Sequence, residues 1–142
     1  MSRKGMARLA LFAAFAIGVS ALSVSGPSDG QVERGRYLVE DIGMCGECHT
    51  PRDSQGELDR SRWLQGAPIW FQPIQPVPNW AYAAPPIAGL GSFTREQTLQ
   101  VLEKGLGPQG LLVRRPMHRF HMAREDAEAI VAYLLSLKNG GQ

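Results

Sequence analysis

The sequence lacks the features that mark several large classes of protein. Its longest apolar stretch, residues 9–24, has sixteen residues, fewer than the roughly 20 that span a bilayer as a helix. With 44% hydrophobic and 20% charged residues, the composition excludes a multi-span membrane protein and a wholly disordered chain. The 142 residues show no internal repeat and no strand-like alternation, so one mostly helical domain is expected.

Positive charge is concentrated at the N-terminus. The formal net charge is +2, and residues 1–25 contain three basic and no acidic residues, so the remainder carries −1. Phosphate binding requires clustered lysine and arginine in the folded part of a protein. A nucleic-acid function therefore has no electrostatic support.

The first 25 residues have the pattern of an export signal. Basic residues precede the apolar run, and small residues at Ser23 and Ser25 suit a cleavage site. We expect residues 1–25 to be a signal peptide, with a retained N-terminal anchor as the alternative, and residues 26–142 to form a periplasmic domain. No cysteine lies directly after the run, which argues against a lipoprotein.

Both cysteines of the chain lie in one motif, Cys45-Gly46-Glu47-Cys48-His49. This C-x-x-C-H spacing is typical of covalent haem attachment. Two thiols on one helical turn can add to the two vinyl groups of a haem, and the histidine can reach the iron from the same side. The motif predicts one haem c bound through Cys45 and Cys48, with His49 as an iron ligand.

Two other kinds of site use the same residue types. A C-x-x-C pair also serves thiol-disulfide oxidoreductases, and this is the alternative function that the sequence leaves open, although it does not account for His49. A zinc site is the weaker alternative, because only His118 and His121 remain to complete a ligand set.

The second iron ligand is expected in the segment 116–122. Met117 is the prediction, because it follows a proline in a stretch without helical periodicity. The alternatives are His118, His121, Met122 and an open site. Histidine and methionine together raise the reduction potential, and a filled sixth position leaves no room for a substrate. This ligand set favours an electron-transfer protein over an enzyme.

Three helices are predicted along the domain. Residues 31–48 lead into the motif, residues 94–105 begin with a Thr94/Gln97 capping box, and residues 122–138 have the clearest apolar periodicity. Between residues 50 and 90, seven prolines exclude a continuous helix or central strand. A loop this long is unusual unless something such as a large cofactor orders it. Its aromatic residues are interpreted as core packing: Trp63, Trp70, Phe71, Trp80 and Tyr82.

Four segments resemble the class I cytochrome c family, specifically the cytochrome c domains that accompany bacterial periplasmic dehydrogenases. They span almost the whole of residues 26–142: Gly35-Arg36-Tyr37-Leu38, the haem motif continued through Thr50-Pro51-Arg52, Arg115-Pro116-Met117, and 125–134. The resemblance implies a cytochrome c-like fold, mostly α, with three to four helices wrapped around one covalent haem. It also implies that the first and last helices cross near Gly35 and Tyr133.

The same resemblance implies ligands, partners and a function. His49 would be the proximal and Met117 the distal iron ligand, in a periplasmic electron carrier or a haem subunit of a dehydrogenase whose partners are redox proteins. A carbonyl of the proline-rich loop would accept the His49 proton, and Pro68 is the prediction for it.

Three further positions follow from the same comparison. Arg115 is predicted to pair with a haem propionate, the alternative being a solvated surface residue. His118 stands where similar sequences commonly have proline, which keeps bis-histidine ligation open. Ala123 replaces the usual Ser or Thr cap of the last helix, at a cost of about 1 kcal/mol.

Overall fold

The computed structural model describes residues 26–137. The predicted signal peptide or anchor, residues 1–25, lies outside the described residues. The elements are helix α1 (Asp29–Tyr37), a π-helical turn (Leu38–Ile42), the short helix α2 (Gly46–His49), strands β1 (Ala67–Pro68) and β2 (Ala83–Ala84), helix α3 (Arg95–Lys104) and helix α4 (Arg124–Ser136), with single 3₁₀ turns at Arg60–Arg62, Ala88–Leu90 and Pro108–Gly110.

Helices α1 and α4 cross at Gly35, as the resemblance implies. A Cβ atom at Gly35 would overlap the carbonyl group of Ala129 and lie 2.8 Å from the Cβ of Tyr133. The missing side chain therefore lets the two backbones touch. Around the crossing, apolar side chains from α1, the π-turn, α3 and α4 form the core, which includes Leu38, Val39, Leu99, Leu102, Ile130, Val131 and Leu134.

The predicted helix over 31–48 is wrong in its continuity. Ser28 caps α1, accepting a hydrogen bond from the Gln31 peptide N–H, and the helix passes into the π-turn before it breaks. Met44 has a φ of 44°, a left-handed conformation that a helix cannot include. The break starts a new turn at the haem motif, so Cys48 and His49 belong to α2.

The other two helices follow their sequence signals more closely. Both hydrogen bonds of the Thr94/Gln97 capping box form, and α3 ends at Gly105 in a left-handed conformation. Helix α4 begins one residue after Ala123, which gives no side-chain cap. The predicted start at Met122 is therefore two residues early, and Lys138, its predicted end, lies outside the described residues.

The proline-rich loop contains two short strands that the sequence did not predict. Ala67 pairs with Ala84 and Pro68 with Ala83 in an antiparallel register. The interpretation of the loop aromatics as core is wrong for Trp70 and Tyr82, which are 63% and 65% exposed. Trp63, Phe71 and Trp80 are half-buried. Within residues 26–137, no helix is both long and apolar enough to cross a membrane.

Candidate haem-binding site

The C-x-x-C-H motif forms a single tight turn. The peptide N–H of His49 donates to the carbonyl of Cys45 (2.9 Å), and the N–H of Cys45 donates to that of Val39 (2.9 Å). The turn is thereby tied to the π-turn that precedes it. Both cysteines are free thiols, so one turn carries the two sulfur atoms and the imidazole.

His49 is buried, and its ring is oriented by one hydrogen bond from Nδ1. It is 6% exposed, and its Nδ1–H donates to the carbonyl oxygen of Pro85 at 2.7 Å. Burial lowers the pKa of His49, while the bond to Pro85 raises it to a lesser extent. A carbonyl can only accept a hydrogen bond, so the proton is on Nδ1 and the Nε2 lone pair is available to a metal.

The carbonyl that accepts the His49 proton belongs to Pro85, so the prediction of Pro68 is wrong. Pro68 lies in β1, and Pro85 directly follows the paired strand β2. The expectation of a carbonyl from the proline-rich loop is therefore confirmed, but the residue comes from the other strand of the same pair. Which of the two prolines faces His49 depends on how the strand pair packs beside α2, a contact between distant segments that the local sequence does not encode.

The environment of the thiols differs from that of a dithiol catalyst. Burial raises the pKa of Cys45 to about 11, and burial is also the main cause that raises the pKa of Cys48. Reactive C-x-x-C pairs rely on a lowered thiol pKa. Within residues 26–137, moreover, no group of three or more His, Cys, Asp or Glu side chains is placed to hold a metal ion, as a zinc site would require.

Met117 lies in a turn that is fastened to the proline-rich loop. Its N–H donates to the Arg114 carbonyl (3.1 Å), and the Arg114 guanidinium donates to the carbonyls of Asn79 (3.2 Å) and Trp80 (2.7 Å). The N–H of Ala81 donates to the carbonyl of Arg115 (2.6 Å). The Met117 side chain is half-buried, in a segment with a fixed position.

The alternative ligands have different surroundings. His118 and His121 are both exposed, and the ring of His118 packs edge-on against Phe120. Met122 packs against the hydrophobic core, and its N–H donates to the Leu102 carbonyl (3.1 Å). Of these four residues, Met117 and Met122 are the half-buried ones, and Met122 already has a packing role.

A buried donor beside this segment suits an anionic group. Trp80 Nε1 is buried and has no hydrogen-bond partner among the described residues, which is costly for an indole N–H unless a ligand accepts from it. The backbone of Arg115 is bonded to that of the neighbouring Ala81, and the Arg115 side chain is exposed. The local sequence contains no sign of this Trp80 donor.

The donor set fits a c-type haem: two thiols and an available imidazole nitrogen on one turn, a thioether on a fixed segment, and a free donor for a propionate. These features, with the helical fold, are those expected of a protein that binds haem through C-x-x-C-H. No protein-family model matches the chain, but individual relatives do.

The relatives are all cytochromes. A diheme cytochrome c-type protein of Cereibacter sphaeroides is 60% identical over 45 residues, covering 32% of this chain and 15% of the relative. The fructose dehydrogenase cytochrome subunit of Gluconobacter japonicus is 34% identical over 113 residues, covering 73% of this chain and 21% of the relative. The gluconate 2-dehydrogenase cytochrome c subunit of Pantoea cypripedii is 30% identical over 134 residues, covering 87% of this chain and 30% of the relative. The chain belongs to the cytochrome c family, and it spans less than a third of the length of each of these relatives.

Proposed function

We propose that this protein carries a single haem c on Cys45 and Cys48 and transfers one electron at a time, with no catalysis of its own. The observation that carries the proposal is the His49 to Pro85 hydrogen bond, which engages Nδ1 of a buried imidazole and leaves Nε2 as the nitrogen that could bind a metal beside two thiols. When bound, the haem iron supplies a couple that takes up or releases one electron. Everything else in the site serves to bind, orient and shield that group.

The thiols provide the covalent attachment. Cys45 and Cys48 would hold the haem, each sulfur taking one vinyl carbon and its thiol proton going to the neighbouring vinyl carbon, so that no oxidant would be consumed. Because both thiols are on the turn that carries His49, attachment would also hold the imidazole beside the same group.

Met117 is the proposed distal ligand and Arg115 the proposed propionate partner, together with Trp80 Nε1. The fixed segment and half-buried side chain support Met117 over His118 and His121. A thioether opposite a histidine favours the reduced state relative to two histidines. It also fills the position that a peroxidase or sensor would keep open.

Charge indicates where a partner would dock. Among the described residues, seven arginines form ion pairs with carboxylates, whereas four exposed cations have no acidic partner: Lys104, Arg114, Arg115 and Arg119. The three arginines lie within three residues of Met117, and Lys104 precedes Gly105, where an added Cβ would be 3.0 Å from that of Arg119. A partner that exchanges electrons at this face would present acidic groups.

The names of the relatives suggest who that partner is. Cytochrome subunits of fructose and gluconate dehydrogenases support a role as the haem subunit or carrier for a dehydrogenase. We place the domain, residues 26–142, in the periplasm, after an export signal or anchor over residues 1–25. Copurification with a larger subunit distinguishes a permanent subunit from a free carrier.

Optical spectroscopy tests the proposal. The protein is purified from a host with haem-attachment machinery, alongside the Met117→Ala variant and Met122→Ala as a matched control. We expect a reduced-state α-band of thioether-linked haem in all three, and a weak near-infrared sulfur-to-iron band that only Met117→Ala loses. Loss of the band in Met122→Ala instead would reassign the ligand, and a colourless protein with two reactive thiols would support the thiol-disulfide alternative.

A further inference from the structure

Thr50, the residue after the haem motif, is joined to the acceptor of the His49 proton by a short series of hydrogen bonds. Its hydroxyl oxygen accepts from the peptide N–H of Leu64 (3.0 Å). The carbonyl of Leu64 then accepts from the N–H groups of Ile87 (2.9 Å) and Ala88 (3.1 Å). Ile87 lies two residues after Pro85, whose carbonyl accepts from His49. These contacts close a ring that begins and ends at neighbouring residues, and we call it the Thr50 ring.

The Thr50 ring is completely buried where Thr50 meets Leu64. Thr50 is 1% exposed and Leu64 0%. Leu64 has a φ of 57°, a conformation that costs a non-glycine residue energy and persists only where the surroundings enforce it. In this conformation the Leu64 N–H donates its hydrogen bond to the Thr50 hydroxyl.

A second hydrogen bond joins the haem turn to the segment that follows Leu64. The N–H of Gly66 donates to the carbonyl of His49 (2.7 Å). Gly66 has a φ of 83°, and a Cβ atom there would lie 2.8 Å from the Pro86 nitrogen and 3.0 Å from the Ala84 oxygen. Gly66 therefore lies between the haem turn, to which it is hydrogen-bonded, and the backbone of residues 84–86, which approaches it too closely for a side chain.

We propose that Thr50 is a positioning residue for the proximal ligand, whose hydroxyl holds the Pro85 carbonyl at the distance that sets the strength of the His49 hydrogen bond. This inference rests on the proposed haem function. A strong bond at Nδ1 makes the imidazole a better electron donor through Nε2 and favours the ferric state. Loosening the ring weakens that bond, so the reduction potential should become more positive.

The test compares three variants of the haem protein. Thr50→Val removes the acceptor and keeps the shape, Thr50→Ser restores the hydroxyl, and Thr98→Val makes the same change in α3, where the hydroxyl only donates to the Thr94 carbonyl. We expect Thr50→Val to shift the oxidised-to-reduced equilibrium at least threefold toward the reduced form, about 28 mV at 59 mV per tenfold. Thr50→Ser and Thr98→Val should keep the wild-type potential.

Two results would overturn the proposal. If Thr50→Val loses stability but keeps the wild-type potential, the hydroxyl is merely structural, and if Thr50→Ser shifts as far as Thr50→Val, the hydroxyl is not the cause. If Thr50→Val fails to fold, a second measurement is used instead: the rates at which two protons of the reduced wild-type protein exchange with solvent. The Leu64 amide and the His49 Nδ1–H should exchange equally slowly, and a His49 proton that exchanges 100-fold faster contradicts the ring. A colourless wild-type protein would refute the haem function itself, which is a different outcome.

Discussion

The indole ring of Trp63 lies so close to Gly46 that a methyl group on Gly46 would overlap it. The same ring donates from Nε1 to the Tyr133 hydroxyl (3.2 Å), which donates to a carboxylate oxygen of Glu40 (2.7 Å). Arg60 covers the ring face, 4.1 Å from its centroid. One aromatic side chain therefore joins the haem-attachment turn to α4 and to the π-turn.

Gly46→Ala should destabilise the protein, because either the ring or the turn must move to admit the methyl group. Overpacking of this kind costs about 1–3 kcal/mol, measured as the free energy of unfolding in denaturant. Gly30→Ala is the matched control, since Gly30 lies in α1 with open space around its Cβ position. It should stabilise the protein by about 0.5–1 kcal/mol. Equal stability of Gly46→Ala and wild type would mean that Trp63 does not pack on the turn.

Tyr133 should give the stability a pH dependence at high pH. Burial, followed by the bond to Glu40, raises the pKa of Tyr133 from 10.0 to about 12. The folded state therefore prefers the protonated phenol more than the unfolded chain does. This contribution to stability is complete below pH 10 and is lost as the pH rises toward 12.

Unfolding of Tyr133→Phe against pH measures that contribution. The free energy of unfolding of the variant should be about 2 kcal/mol lower at neutral pH, since the change leaves Trp63 Nε1 and Glu40 without their partner. Between pH 10 and 12, its stability should fall less than that of the wild type, because the phenol of Tyr133 is absent. Tyr37→Phe, at an exposed tyrosine, should retain the full decline. Parallel curves for Tyr133→Phe and wild type would contradict the raised pKa.

Ala123→Ser should stabilise α4. Ala123 already has the extended conformation of an N-cap (φ −61°, ψ 151°) but offers no side-chain acceptor. A serine hydroxyl there would accept from a free N–H of the first turn and add about 1 kcal/mol. The reverse change at the other cap, Ser28→Ala in α1, should remove a similar amount. The thermal unfolding temperature should rise for Ala123→Ser and fall for Ser28→Ala. No rise for Ala123→Ser would contradict the inference that α4 gains stability from a side-chain cap at this position.

Electron exchange with small anions should reveal the charge of the face around Met117. Residues 26–137 have eleven basic and thirteen acidic side chains, so the described domain as a whole repels anions. If electrons pass at the face of unpaired cations, the rate with an anionic iron complex should still fall as salt is added. Arg119→Glu should abolish or reverse that trend, with Arg95→Glu as the control. A rate that rises with salt in the wild type would place electron exchange elsewhere.

Local signals in the sequence predicted the parts of the fold that depend on neighbouring residues. The Thr94 capping box and the apolar periodicity of α4 act within one or two turns, and both helices form near the expected positions. The break at Met44 was missed because the left-handed conformation of that residue is imposed by the turn that follows it. A methionine gives no local sign of such a break, unlike a glycine.

Contacts between distant segments account for the rest of the errors. Pro68 and Pro85 each follow an alanine, and the packing of the strand pair beside α2 places the Pro85 carbonyl at His49. Trp70 and Tyr82 suit a core by hydrophobicity, but they are largely exposed, in loop segments just outside the two short strands. The motif itself was predictable because all its chemistry lies within five consecutive residues.

The most direct test of the central claim is the intact mass of the purified protein after denaturation, with the cysteines otherwise untreated. The account predicts the polypeptide plus one haem, a mass that resists acid extraction, and loss of stable attachment when Cys45 and Cys48 are both changed to serine. A wild-type polypeptide of unmodified mass, with two titratable thiols and no iron, would contradict the account.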